Sequence, residues 1–281
     1  MSAAYEPTLR RFEGAGVVLV ADEAGPKGGA PVLLLHGGGQ TRQAWGGAVT
    51  EGARRGYHMI TLDLRGHGDS DWAPEGDYRL RTCAADIARI VQELPHPPTI
   101  VGASMGGMVA LEYVGAGGPL KSLVLVDIAP RVEEKGTSRV AGFMRDSAPR
   151  GFADLDEAAD TVAAYLPNRK RPRNTSGLMK NLRLREDGRL YWHWDPMILG
   201  PDMGAKPDEQ SLRAAAMSLN VPALLVRGRE SDVLSMAGVK DFLEICPHAE
   251  FVDIQDADHM VAGDKNDIFN GAVFDFLARH A

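Results

Sequence analysis

The stretch Thr99-Ile100-Val101-Gly102-Ala103-Ser104-Met105-Gly106-Gly107-Met108-Val109-Ala110-Leu111 decides how this chain is read. A short apolar, β-rich run passes through small residues into a helical pattern, with a serine at the centre of a G-x-S-x-G sequence. A serine on so sharp a strand-to-helix turn takes a strained backbone, and side chains two positions either side would strike neighbouring backbone. The helix that begins there aims its first amides toward the serine and favours negative charge as it develops. Glycine patterns of this length are common by chance. The strand before and the helix after make Ser104 a candidate nucleophile.

Upstream, the run Pro31 to Leu35 (PVLLL) ends in His36-Gly37-Gly38-Gly39-Gln40. Acyl transfer needs two fixed N–H donors where the carbonyl oxygen gains charge, and losing one typically raises the barrier by about 3–4 kcal/mol. Glycines let backbone approach a substrate and turn an amide inward. The amides of Gly38 and Met105 are the expected pair, with Gly37 or Gly39 as alternatives to Gly38.

Downstream, His259 lies in Asp256-Ala257-Asp258-His259-Met260-Val261, just past a strand ending at Ile254. A histidine on such a loop reaches a nucleophile at the same sheet edge. Seven other histidines compete. His36 and His67 sit in loop motifs and read as structural. His58, His96, His248 and His280 read as surface or turn residues, and His193, between two tryptophans, as a pocket wall. The acid that orients the base is expected at Asp232, after Leu224-Leu225-Val226, which gives the chain order Ser, Asp, His. Asp127, past Leu123 to Val126, and Glu230 are the competitors.

Around these motifs, seven strands are expected: 16–21, 31–35, 58–62, 99–101, 122–126, 222–227 and 249–254. Amphipathic helices over 44–55, 81–94, 105–114 and 268–280 alternate with them. Continuously apolar strands between helices indicate an α/β protein with a largely parallel sheet covered on both faces. The alternation stops between about Arg131 and Asn220, where helical patterns (140–146, 155–165, 177–185, 209–218) occur without a core strand. That length exceeds one crossover connection. Residues 131–220 therefore read as a helical cap inserted into a core of 1–130 and 221–281. Within it Tyr191, Trp192, Trp194 and Met197 cluster. Trp192 and Trp194, with Trp45 and Leu234, are the candidate substrate-binding residues, although cap-to-core packing would use the same side chains.

The chain has 281 residues, 44% apolar and 25% charged, with a formal net charge of -7. That composition suits one large domain with an insertion and argues against a nucleic-acid surface. The basic cluster from Arg169 to Arg173 is short and reads as a solvated loop. Cys83 and Cys246 form no CxxC pair, so neither a disulfide framework nor a metal site is expected. Residues 1–14 lack a signal-peptide core and no apolar run is long enough to span a bilayer. A cytoplasmic protein without membrane partners is the expectation.

Taken in order, HGGG at 36–39, DLRGHGDSD at 63–71, GASMGG at 102–107, RGRESDV at 227–233 and ADHMVAGD at 257–264 resemble the α/β-hydrolase family. The resemblance covers most of the chain apart from the cap. It implies an eight-stranded, mostly parallel sheet with a helical cap, a cofactor-free Ser-His-Asp mechanism, and an oxyanion hole from the Met105 and Gly38 amides. Family members that cut carbon–halogen bonds or epoxides use aspartate where this chain has Ser104, which disfavours both. Hydrolysis of esters or lactones of small to medium, partly hydrophobic substrates is the leading expectation. Carbon–carbon bond hydrolysis, perhydrolysis or acyl transfer, and a non-turnover small-molecule receptor are the alternatives, and fold likeness does not choose among them.

Overall fold

The computed structural model describes residues 5–166, 171, 173–259 and 266–281. Eight strands form one sheet in the order β1-β2-β4-β3-β5-β6-β9-β10. They are β1 (Thr8–Glu13), β2 (Val18–Ala24), β3 (Pro31–Leu35), β4 (His58–Leu62), β5 (Thr99–Ala103), β6 (Ser122–Val126), β9 (Ala223–Gly228) and β10 (Glu250–Ile254). The first two pair antiparallel, and β2 pairs antiparallel with β4; the remaining pairs are parallel. Strands β3, β4, β6 and β9 are buried at every residue, as expected of strands covered on both faces.

Helix α1 (Ala48–Arg54) and the C-terminal helix (Asn266–His280) cover one face. There Phe269, Phe276 and Leu277 pack with Trp45, Val101 and Val126. Helices α2 (Leu80–Gln92) and α3 (Met105–Gly115) cover the other, with Ile87, Val109 and Leu111 against Leu33, Ile100 and Leu125. Truncating a ring such as Phe276, 1% exposed, to alanine would cost about 3–5 kcal/mol.

Strand β1 was not among the expected strands. It is a sheet edge with one buried side chain, Phe12, among charged neighbours, so it carries no strong apolar signal. Residues 177–185, expected as helix, instead form a 3-10 turn (Ser176–Asn181) and β7 (Leu182–Leu184). The latter pairs with β8 (Leu190–Trp192) in a separate two-stranded sheet. A short register of alternating residues closed by a turn at Gly188 outweighs local helical propensity here.

Among the described residues between β6 and β9, none adds a strand to the main sheet. The chain there forms α4 (Glu134–Ser147), α5 (Leu155–Tyr165), the β7–β8 hairpin and α6 (Glu209–Ser218). Helix α6 buries Leu212, Ala215 and Ala216, and a Cβ on Gly115 of α3 would lie 3.2 Å from the Ala215 Cβ. We therefore propose that the cap ends before α6 and that this helix rejoins the core layers. The segment just after the hairpin is docked on the 63–71 loop and on Tyr78: His67 bridges Trp194, Gly68 N–H donates to His193 O at 2.7 Å, and the Tyr78 hydroxyl donates to Asp195 at 2.5 Å.

Candidate active site

The strand register brings two groups side by side. Ala103 pairs with Val126, and Val126 with Val226, so the next residues, Ser104 and Asp127, leave adjacent strands at the same level. Each prolongs the ladder by one bond: Ser104 N–H to Val126 O at 3.1 Å, and Asp127 N–H to Val226 O at 2.7 Å. Both then turn through left-handed backbone, with φ of 47° and 52°. This region is costly for a side chain other than glycine and persists where surrounding structure imposes it. At the serine turn the imposition is visible. A Cβ on Gly102 would lie 2.6 Å from Gly106 O, and one on Gly106 would lie 2.2 Å from Leu35 O.

His259, 10% exposed at its side chain, stands between them. Its Nδ1 is 2.7 Å from Asp127 Oδ2 and its Nε2 is 3.1 Å from Ser104 Oγ. The carboxylate accepts, so the proton sits on Nδ1, and Nε2 is left to accept from the serine hydroxyl. Asp127 is fully buried and takes two further bonds, from Gly228 N–H at 3.0 Å and from the Ser231 hydroxyl at 2.5 Å. Three donors offset the cost of burying an ionised carboxylate.

This geometry corrects the expected acid. Asp232 lies four residues beyond Gly228, and its side chain, 40% exposed, is held by Arg139 Nε and Nη2 at 2.7 and 3.0 Å. Partial burial opposes ionisation of Asp232, but the Arg139 hydrogen bonds outweigh it and hold the carboxyl below its ordinary value. Chain order favoured Asp232. Yet its strand is one further from the serine, and the loop after β9 turns Ser231, not Asp232, toward Asp127. Glu230 is exposed.

Of the three glycine amides after His36, two are already engaged. Gly37 N–H donates to Gln40 Oε1 at 2.9 Å, and Gly39 N–H to His67 Nε2 at 3.1 Å. Gly38 is the one without a protein acceptor among the described residues, and a Cβ there would lie 3.9 Å from the Met105 Cβ. Met105 opens α3, so its amide has no intrahelical acceptor. His36 locks the same loop: Nδ1–H donates to Gly37 O at 2.8 Å, and Nε2 accepts from Leu64 N–H at 3.0 Å. Burial pushes His36 down to about 4. It pushes His67, also facing the His36 ring, down to about 3, so both act as neutral clamps. Buried Arg42 ties the following turn to Asp22, Asp63 and Asp69.

A cavity of about 340 Å³ opens over Ser104 and His259, within the size of a small-molecule site. Trp45, Trp192 and Trp194 line it. Leu234 does not: it is fully buried in the main core, with its carbonyl bound to Arg227. Tyr191 and Met197 turn away, the first bonding Asp187 and the second 51% exposed. His193 is held by Arg183 outside the lining, and His58 proves buried against Glu23 rather than superficial. Sequence reasoning missed Phe143, Tyr165, Lys180 and Asn181, which also line the cavity. Helical periodicity marked the first two but not which face they would present. The Phe143 and Tyr165 rings stack at 4.2 Å, and Trp192 is pinned by its indole N–H to Ser147 Oγ at 2.8 Å. A larger depression of about 820 Å³ between α2, α3 and α6 is lined mostly by small side chains and contains none of these groups. Among the described residues no group of three or more His, Cys, Asp or Glu could hold a metal ion, and no helix is long and apolar enough to cross a membrane. Part of the expected histidine motif, residues 260–264, lies outside the described residues, as do 169, 170 and 172 of the basic cluster.

Residues 30–265 match the family model described as alpha/beta hydrolase fold. The chain is 27% identical to the esterase Rv0045c of Mycobacterium tuberculosis, over 85% of this chain and 80% of that one. It is 24% identical to a 3-hydroxybutyrate-oligomer hydrolase of Cupriavidus necator, over 72% and 73%. The solved structure of an E-2-(acetamidomethylene)succinate hydrolase shares the fold with a TM-score of 0.84 at 22% identity, over 97% of this chain and 99% of that one. With its sheet order and its family match in agreement, the chain belongs to the alpha/beta hydrolase fold family and is a hydrolase.

Proposed function

We propose that the chain hydrolyses carboxylic esters of small, partly apolar substrates through an acyl-enzyme on Ser104. The observation that carries this is the continuous hydrogen-bonded chain from Ser104 through His259 to buried Asp127. Ser104 Oγ attacks the carbonyl carbon as His259 Nε2 takes its proton. The resulting oxyanion is held by the Gly38 and Met105 amides. Collapse expels the alcohol, which leaves with the proton from His259. Water, deprotonated by the same nitrogen, then attacks the acyl carbon and releases the acid. Asp127 keeps the imidazole in the working tautomer and stabilises it once protonated.

The esterase among the relatives supports the ester over the carbon–carbon bond as the target. The hydrogen-bonded serine supports turnover over mere binding. Hydrolysis of p-nitrophenyl butyrate by wild type should exceed that by Ser104→Ala by about 10⁴-fold or more. A fluorophosphonate should label the wild type alone. Equal rates in the two proteins would remove Ser104 from the chemistry.

A further inference from the structure

The cavity over Ser104 has a chemically mixed lining. Val140, Phe143, Val162, Leu166 and Trp192 supply apolar surface. The lining also includes three side chains whose polar groups only donate, Trp194, Trp45 and Lys180. Trp194 is 3% exposed, and its indole nitrogen lies 3.7 Å from where a Cβ on Gly39 would stand, beside the oxyanion loop. That N–H has no acceptor among the described residues. The indole nitrogen of Trp45, a second lining residue, is buried and also without a partner. Lys180, exposed on the cap turn, lines the same cavity, and its ammonium has no carboxylate partner among the described residues. Among the described residues, no aspartate or glutamate lines the cavity.

The arithmetic of this set is one-sided. Indole nitrogen and ammonium are donors only, with no acceptor capacity. The Trp194 N–H is left open to the cavity, where an incoming acceptor can take the place of water. A neutral carbonyl would engage the indole alone, whereas a carboxylate would engage the exposed ammonium as well. An acceptor-only group of negative charge answers both.

Resting on the ester-hydrolase reading above, we propose that the substrate carries a carboxylate a few bonds from its scissile ester, held by Lys180 and the Trp194 N–H. The apolar side chains then receive the rest of the molecule. Lys180 and Trp194 thereby determine specificity without taking part in bond breaking.

The test compares p-nitrophenyl hemiglutarate with p-nitrophenyl butyrate, and butyryl glycolate with ethyl butyrate, in wild type, Lys180→Glu and Trp194→Phe. Lys180→Glu should lower the ratio of kcat/KM, charged over neutral, about tenfold or more in at least one pair. Trp194→Phe, which keeps the ring and loses the donor, should lower it about fivefold. Ratios within twofold of wild type in both pairs would overturn the proposal. A second arm does not depend on turnover: glutarate should quench tryptophan fluorescence of Ser104→Ala saturably, and adding Lys180→Glu should weaken its Kd about tenfold. Saturable, Lys180-dependent binding without ester hydrolysis by wild type would sink the ester reading and keep the anion site. Absent or Lys180-independent quenching would sink the anion site itself.

Discussion

Asp127 and Asp232 follow neighbouring parallel strands, β6 and β9, and meet opposite environments. The first is fully buried, takes hydrogen bonds from a backbone amide, a hydroxyl and an imidazole, and stands one strand from Ser104. The second is 40% exposed and tied to Arg139 of α4, whose guanidinium also reaches Tyr165 O at 3.0 Å and lies 4.7 Å from the Tyr165 ring. One aspartate is hydrogen-bonded to the His259 imidazole; the other is paired with Arg139 of α4. An acid works on a histidine only where the fold desolvates both and holds them within 3 Å. Position past a strand end is necessary for this and does not suffice.

Exchanging the fates of the two residues gives the largest expected effect. Asp127→Ala should reduce kcat on p-nitrophenyl butyrate by about 10⁴-fold, whereas Asp232→Ala should stay within about threefold. A reversed pair of results would restore Asp232 as the acid. Ser231 comes next, acting only through Asp127. Ser231→Ala should lower kcat about tenfold with KM little changed, and Ser231→Thr, which keeps the hydroxyl, should recover most of it. An equal loss in both variants would show that Ser231 merely packs.

Acid should expose the buried side of the contrast. His36 and His67 have folded values depressed to about 4 and about 3, below their ordinary value of 6.5. The unfolded chain therefore binds more protons in this window. Their contribution to stability is complete above about pH 6.5 and is lost progressively as pH falls toward 4 and below. Thermal unfolding should show a Tm falling over that range, with a shallower slope in His67→Asn; identical slopes would mean that other groups govern it.

The smallest effect belongs to the exposed anchor. Arg139→Ala and Asp232→Asn should each lower Tm by about 1–3 °C, as a partly exposed ion pair does. The double variant should lose no more than the larger single one. Fully additive losses would show that the two side chains do not act as a pair.

The G-x-S-x-G turn was legible because its glycines answer a local demand: the steric limits at Gly102 and Gly106 are set by residues on the same turn and the adjoining strand end. His259 was legible from its place after β10. Gly38 was the favoured glycine, but its distinction comes from Gln40 and His67, which engage the amides on either side of it. Trp194 was named from the sequence, whereas Lys180 was hidden because it lies on a 3-10 turn that local propensity reads as helix.

The sequence alone determined the alternation of apolar strands and amphipathic helices, the strained serine turn, and the long excursion between β6 and β9. Each follows from periodicity and backbone sterics over a few residues. The tertiary structure decided which aspartate meets the imidazole and which side chains after β6 line the cavity. Those outcomes depend on strand register and on loops meeting across distances of 100 residues or more, as Asp127 and His259 do at |i−j| of 132. No local rule carries that information.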